Sequence, residues 1–299
     1  MASFNIEDAA FVGPGLIIRK PGAVIAWALV WAVFLIVLTA PFSGMITALI
    51  SLDVKSQGHI AVGGGLPLLG GIVAWVLLLW IGALVIGAVV QSAIIRAVLE
   101  PDNSAAAYLR FGREETFVLS VNFVKALILL AVSVLVGAAV GIVEAILGGA
   151  GPGAVLIAKS IGDFINLAVI IWVNLRFSAA APMSFQERHF RLFEAWTLTR
   201  GQTWRLVGVA VLVAVMIAVI WLIGACAAVG GSIMILNGGP HLTDLRDLLS
   251  TVPSEWVPVL APYFWLTAVV SLVAGALITP IALAPWPHIY RKLGAEVET

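Results

Sequence analysis

Charge is scarce in this chain of 299 residues: Asp, Glu, Lys and Arg together make 11% of it, against roughly 25% in a soluble domain. Apolar residues make 62%, and the mean hydropathy is +1.10. One hydrophobic core stops growing near about 250–300 residues, so a water-soluble fold cannot hide this much apolar surface. The sixteen basic and sixteen acidic residues cancel, which removes any bulk attraction to nucleic acid. The single cysteine, Cys226, excludes an intrachain disulfide and a thiolate metal site. No lysine follows a glycine, so there is no phosphate-binding P-loop, and no G-x-S-x-G elbow is present. The four histidines, His59, His189, His241 and His288, show no H-x-x-x-H spacing. His59 and His241 share one side of the chain with Asp244 and Asp247, and the expectation there is exposed loop histidines. We expect no catalytic constellation, no metal and no cofactor, and therefore no enzyme.

What is present is length without charge. A bilayer core takes about 20 apolar residues per helix, and six stretches supply them: 22–52, 66–98, 117–147, 154–180, 204–236 and 259–290. The expected fold is all-α: one integral membrane domain over 1–299, a polytopic bundle of six transmembrane helices arranged as three hairpins. The first stretch follows Arg19 and Lys20 as a signal peptide follows its basic segment, but it is far longer than the usual 7–15 apolar residues. It reads as a span. Gly63–Gly65, Gly148–Gly153 and Asn237–Pro240 supply the turn chemistry between spans.

Counting gaps alternately, twelve of the sixteen basic residues fall on the side of the N-terminus, two (Lys55 and Arg246) on the other, and Lys125 and Lys159 within spans. Basic loops stay inside. The expectation is a bacterial inner-membrane protein with both termini cytoplasmic.

A three-fold pattern accompanies this alternation. Basic lead-in segments, Leu16–Gly22, Tyr108–Glu114 and Trp196–Gln202, precede the odd-numbered spans, and an arginine (Arg96, Arg176, Arg291) closes each even-numbered one. The expected unit is an interfacial amphipathic lead-in helix, a span, an outer turn, a second span and an arginine exit. The strongest lead-in is 184–199. Ser184 and Glu187 form the S-x-x-E pattern of a capping box, and Gly201 stands where a helix stop belongs. Phe185, Leu192, Phe193 and Trp196 share one face, as in a helix lying flat on a membrane or packed on another helix.

Ionisable groups inside spans are expensive and single out candidates. Lys125 and Glu144 lie on span three, and Lys159 and Asp163 on span four, with Asn166 continuing the Asp163 face. Lys159 and Asp163 are i,i+4 neighbours, and Glu144 falls at the depth of Lys159 across the short turn. The expectation is a polar seam of Lys125, Glu144, Lys159, Asp163 and Asn166 between spans three and four, read either as a polar path or as pairs that fix helix register. Gly137 and Gly141 form G-x-x-x-G on span three, a spacing for close helix packing within the chain or between copies. Thr279-Pro280 and Pro285-Trp286-Pro287 place a break at the end of span six, read as an interfacial elbow or as a hinge.

The segment Phe190-Arg191-Leu192-Phe193-Glu194-Ala195-Trp196-Thr197-Leu198-Thr199-Arg200-Gly201-Gln202-Thr203-Trp204-Arg205-Leu206 resembles the "SW-x-L-T-[RK]-G-[NH]-x-W-R-L" segment of bacterial six-span proteins related to the glycerophosphoryl diester phosphodiesterase membrane domain. Leu99-Glu100-Pro101-Asp102 with Tyr108–Glu115 resembles the matching segment of their alphaproteobacterial members. The resemblance implies an all-helical membrane domain and carries no catalytic residue, because the catalytic module of that family is a separate soluble barrel. The expected function is a non-enzymatic membrane scaffold or accessory module engaging membrane lipids, a membrane-protein partner or a second copy. The alternative is a small transporter or lipid-handling permease using the seam.

Overall fold

The computed structural model describes residues 4–37, 62–102, 105–237 and 253–294. Apart from two short 3₁₀ turns, Ala105–Tyr108 and Gly148–Ala150, its regular structure is α-helical, with no strand among the described residues. Two short helices open the chain, α1 (Ile6–Ala10) and α2 (Val12–Arg19). After a bend of 100° comes α3, Pro21–Val37. The remaining helices are α4 (Val62–Leu99), α5 (Arg113–Leu147), α6 (Pro152–Arg176), α7 (Ala180–Glu187), α8 (Leu192–Leu198), α9 (Thr203–Asn237), α10 (Pro253–Leu283) and α11 (Pro285–Gly294). Five helices are long and apolar enough to cross a membrane, and a sixth crossing is counted if α2 and α3 are one bent span. The chain is a multi-pass membrane protein. The far part of the first expected span, 38–52, and the loop histidines His59 and His241 with Asp244 and Asp247 lie outside the described residues.

Several boundaries differ from the sequence expectation. Gly63–Gly65 are not a turn: α4 begins at Val62 and runs through them. A glycine costs a helix about 1 kcal/mol, less than backbone amides left unbonded in lipid. Span four ends at Arg176, a turn before 180, because Phe177–Ala179 turn the chain into α7. The Gly148–Gly153 turn forms as expected, with Gly151 at φ 102° and Pro152 opening α6. Pro280 leaves α10 unbroken, and the elbow falls at Ala284. There Pro285 starts α11, whose buried Ile289, Tyr290 and Leu293 lie opposite Arg291 and Lys292 at its end.

The core lies at one end of the bundle. Phe4 and Leu293, near the two described chain ends, belong to one buried cluster with Leu206, Val209 and Ile281. Trp27 packs against Val90, Ala93 and Ile94 in a second, and Val118, Val121, Phe185 and Leu192 form a third. We call this end the base. Gly13 shows how close its helices come, since a side chain there would strike the backbone of Pro280 and Ile281. Beyond the base the long helices carry exposed apolar side chains, among them Val134, Phe164, Leu222 and Phe264. That is the pattern of surfaces meant for lipid or other membrane helices rather than water.

Candidate functional site

The densest chemistry in the described residues sits in the base, around Arg96. This last-turn residue of α4 is 2% exposed. Its guanidinium donates to the Tyr108 carbonyl at 2.7 Å, to Glu115 Oε1 at 2.6 Å and to Glu114 Oε2 at 3.1 Å, and its plane lies 5.1 Å from the Phe185 ring centre. Arginine suits this place because its rigid fork of five donors serves several acceptors while its face stacks on an aromatic ring. Glu115 is itself 2% exposed. Its second oxygen accepts from the Gly112 amide at 2.8 Å, which caps the start of α5. Glu114 reaches outward to Arg188 at 2.8 Å.

The same arginine holds a strained turn. Ala106, Ala107 and Tyr108 stand at φ 52°, 54° and 65°, the left-handed region that costs a residue with a side chain roughly 1–2 kcal/mol. Three bonds keep them there: Trp27 Nε1 donates to the Ala107 carbonyl at 2.9 Å, Tyr108 Oη to the Pro101 carbonyl at 2.9 Å, and Arg96 takes the Tyr108 carbonyl.

Arg176 repeats the device one hairpin later. It donates to the Thr199 carbonyl at 3.1 Å, and the Thr199 hydroxyl faces the Arg176 carbonyl at the same distance. Its guanidinium lies 5.8 Å and 5.4 Å from the Trp172 and Trp196 rings. Each of these two exit arginines thus binds one carbonyl of the lead-in segment that follows it. Arg291 instead donates to Val98 at the end of α4, at 3.4 Å. Among the described residues, three buried polar atoms, Ser92 Oγ, Asn166 Oδ1 and Arg176 Nε, have no hydrogen-bond partner.

The expected continuous helix over 184–199 is corrected. Helix is already running from Ala180, so Ser184 is interior to α7 and caps nothing. Glu187 is the last residue of α7, Arg188 turns left-handed at φ 55°, and α8 starts at Leu192. The buried Ser184 hydroxyl accepts the Arg191 amide at 3.0 Å, which holds the corner. Phe185 and Leu192 do not face outward but close the core cluster, and Trp196 stands edge-on to Trp172 at 5.0 Å. Only Phe193, 65% exposed, keeps the outward aspect. Phe111 and Trp204, 72% and 86% exposed, likewise stand outside the core, just before α5 and at the start of α9, with Arg110, Arg113, Arg200 and Arg205 beside them in sequence; we call these segments the rim.

The expected ion-pair seam is corrected as well. No ion pair joins Glu144, Lys159 and Asp163. The face of α6 toward α5 is set by Gly162, where a Cβ would overlap the Val140 side chain. Lys159 and Asp163 lie to one side of that contact and are exposed, while Glu144 and Asn166 are half-buried. Lys125, half-buried on α5, has no hydrogen-bond or ion-pair partner among the described residues. Asn122, one turn before it, donates to Gln91 of α4 at 2.7 Å, so that polar contact joins spans two and three.

Sequence reasoning placed Arg96 and Arg176 as span exits but missed Glu114, Glu115 and Thr199 as their partners. The signal was the Gly112-x-x-Glu115 spacing of a capping glutamate. No family model, curated protein or solved structure matches the chain.

Proposed function

We propose that this protein is a non-enzymatic scaffold or accessory module of the bacterial inner membrane, with its base on the cytoplasmic side, where it engages anionic lipid headgroups and presents a rigid surface to partner proteins. The observation that carries the reading is the exposure of Phe111, Phe193 and Trp204 in the segments that lead into α5 and α9, which also hold Arg110, Arg113, Arg200 and Arg205. Aromatic side chains next to arginine suit the headgroup level, where one part of the residue is apolar and the other wet. Clustered basic residues attract anionic lipid at about 1 kcal/mol each. An apolar crevice of about 570 Å³ between α3 and α4, lined by Leu29, Val33, Phe34, Leu78 and Ile86, offers room for an acyl chain. The resemblance of 190–206 to the six-span relatives of the phosphodiesterase membrane domain agrees with a membrane module that lacks the barrel, and we propose that kinship for the chain.

Native mass spectrometry from mixed vesicles tests the reading. Wild-type protein is expected to retain phosphatidylglycerol over phosphatidylcholine, and a variant with Arg110, Arg113, Arg200 and Arg205 changed to Gln to lose that preference. Equal retention of both lipids by the wild type would overturn it. A second reading, a small permease, rests on the unpartnered Lys125 inside α5, since an intramembrane charge without a partner marks a solute path by default. Solute uptake abolished by Lys125→Met with the lipid preference intact would favour it.

A further inference from the structure

Val140 and Gly162 touch where α5 and α6 cross, and that contact fixes the line between the two helix axes. Each residue onward turns a helix face by about 100°. Because α5 and α6 are antiparallel, their senses of rotation are opposite when viewed from one end, so a step from Val140 to Gly141 and a step from Gly162 to Asp163 turn toward the same side of the hairpin. Gly137 and Lys159, each one turn back, lie on that side too. One face of the hairpin therefore carries the G-x-x-x-G of α5 beside the Lys159–Asp163 pair of α6, all within about two turns of the crossing.

This face is open. A Cβ at Gly137 or Gly141 would meet nothing within 4 Å. Lys159 and Asp163 are exposed, and Val134 and Leu156 beside them are 60% and 66% exposed. It is also deep. The 25 residues of α6 span about 37 Å at 1.5 Å each, and Asp163 lies at their middle. A carboxylate facing lipid at that depth is costly, and no described residue pairs with it. The glycine pair and the charges thus share an uncovered surface at one depth.

We propose that this face is the interface with a second copy of the chain, related by a two-fold axis along the membrane normal. The argument is charge complementarity with matched depth. A two-fold axis sets α5 of each copy against α6 of the other. The Gly137–Gly141 face then admits the opposing α6 closely, as small-xxx-small faces do. Glu144 lies four residues beyond the crossing on α5 and Lys159 three residues before Gly162 on α6, so the two stand at the same height to within about 1.5 Å. Glu144 of one copy faces Lys159 of the other, and the second pair follows by symmetry, residue i meeting j and j meeting i. Lys159 of each copy then sits between its own Asp163 and the other copy's Glu144. The interface goes beyond the scaffold reading, because a monomer could also present the base.

The test uses full-length protein in lipid nanodiscs and mass photometry, with differently tagged copies. Wild type is expected as a dimer, and Glu144→Lys and Lys159→Glu each as a monomer, with at least a tenfold weaker association. Co-expressed, the two single variants are expected to co-purify as a heterodimer at near wild-type yield, since the mixed pair restores opposite charges at both contacts. A misfolded variant would not be rescued by mixing, and an ion pair within one chain would not need a second copy. Gly137→Leu with Gly141→Leu is expected to abolish the dimer. A wild type that stays monomeric at all loadings, or a mixture that associates no better than either single variant, would overturn the proposal.

Discussion

Arg96→Met is the perturbation that bears hardest on the base. It removes the donors that reach Tyr108 at 2.7 Å, Glu115 at 2.6 Å and Glu114 at 3.1 Å. The three losses are unequal. Glu114 keeps Arg188 at 2.8 Å and its side chain is 25% exposed, so water can replace what is lost. Glu115 keeps only the Gly112 amide and remains buried. Stranding one partner of a buried pair costs about 3–5 kcal/mol, whereas an exposed pair is worth about 0–1 kcal/mol. We therefore expect Arg96→Met to lower unfolding free energy by about 3–5 kcal/mol and Arg188→Gln by less than about 1 kcal/mol. Arg96→Met with Glu115→Gln should recover much of the loss, because the uncompensated charge is gone. Equilibrium unfolding in mixed micelles, followed by far-UV circular dichroism, measures all three. If Arg96→Met costs no more than Arg188→Gln, the pairing does not hold the base together and the reasoning fails.

Three further outcomes follow from the same geometry. Ala106→Gly should stabilise by about 0.5–1 kcal/mol, because glycine adopts φ 52° freely and Ala106 is exposed; a loss in the same unfolding assay would count against the strained turn. Thr199→Val keeps the buried shape but removes the hydroxyl facing the Arg176 and Ala195 carbonyls, and should cost about 1 kcal/mol. Gly162→Ala should cost about 1–3 kcal/mol by overpacking against Val140, and adding Val140→Ala should return most of it; no loss on the single substitution would move the α5–α6 contact elsewhere.

The spans were legible because a long apolar run has few alternatives in a membrane, and the turn before α6 was legible because Gly151 and Pro152 each have one good place there. The break at Arg188 was not. S-x-x-E reads as a helix start only if the preceding chain is not already helical, and Ser184 is buried inside α7 and committed to the Arg191 amide across the corner. The polar seam failed for a related reason. Helical spacing correctly groups Lys159 with Asp163, but which face turns inward was decided by Gly162, whose missing side chain admits Val140. Arg96 was visible as a span exit. Its partners Glu114 and Glu115 lie 18 and 19 residues away, and nothing in local periodicity joins them.

The proposed role of the base stands on which side of the membrane it faces. The most direct measurement is labelling by a membrane-impermeant maleimide of a Cys226→Ser protein carrying Trp204→Cys, at the most exposed aromatic position of the rim. The account predicts modification in inverted inner-membrane vesicles and none in intact spheroplasts. Modification in spheroplasts, with protection in inverted vesicles, would place the arginine and aromatic rim on the outer side and contradict it.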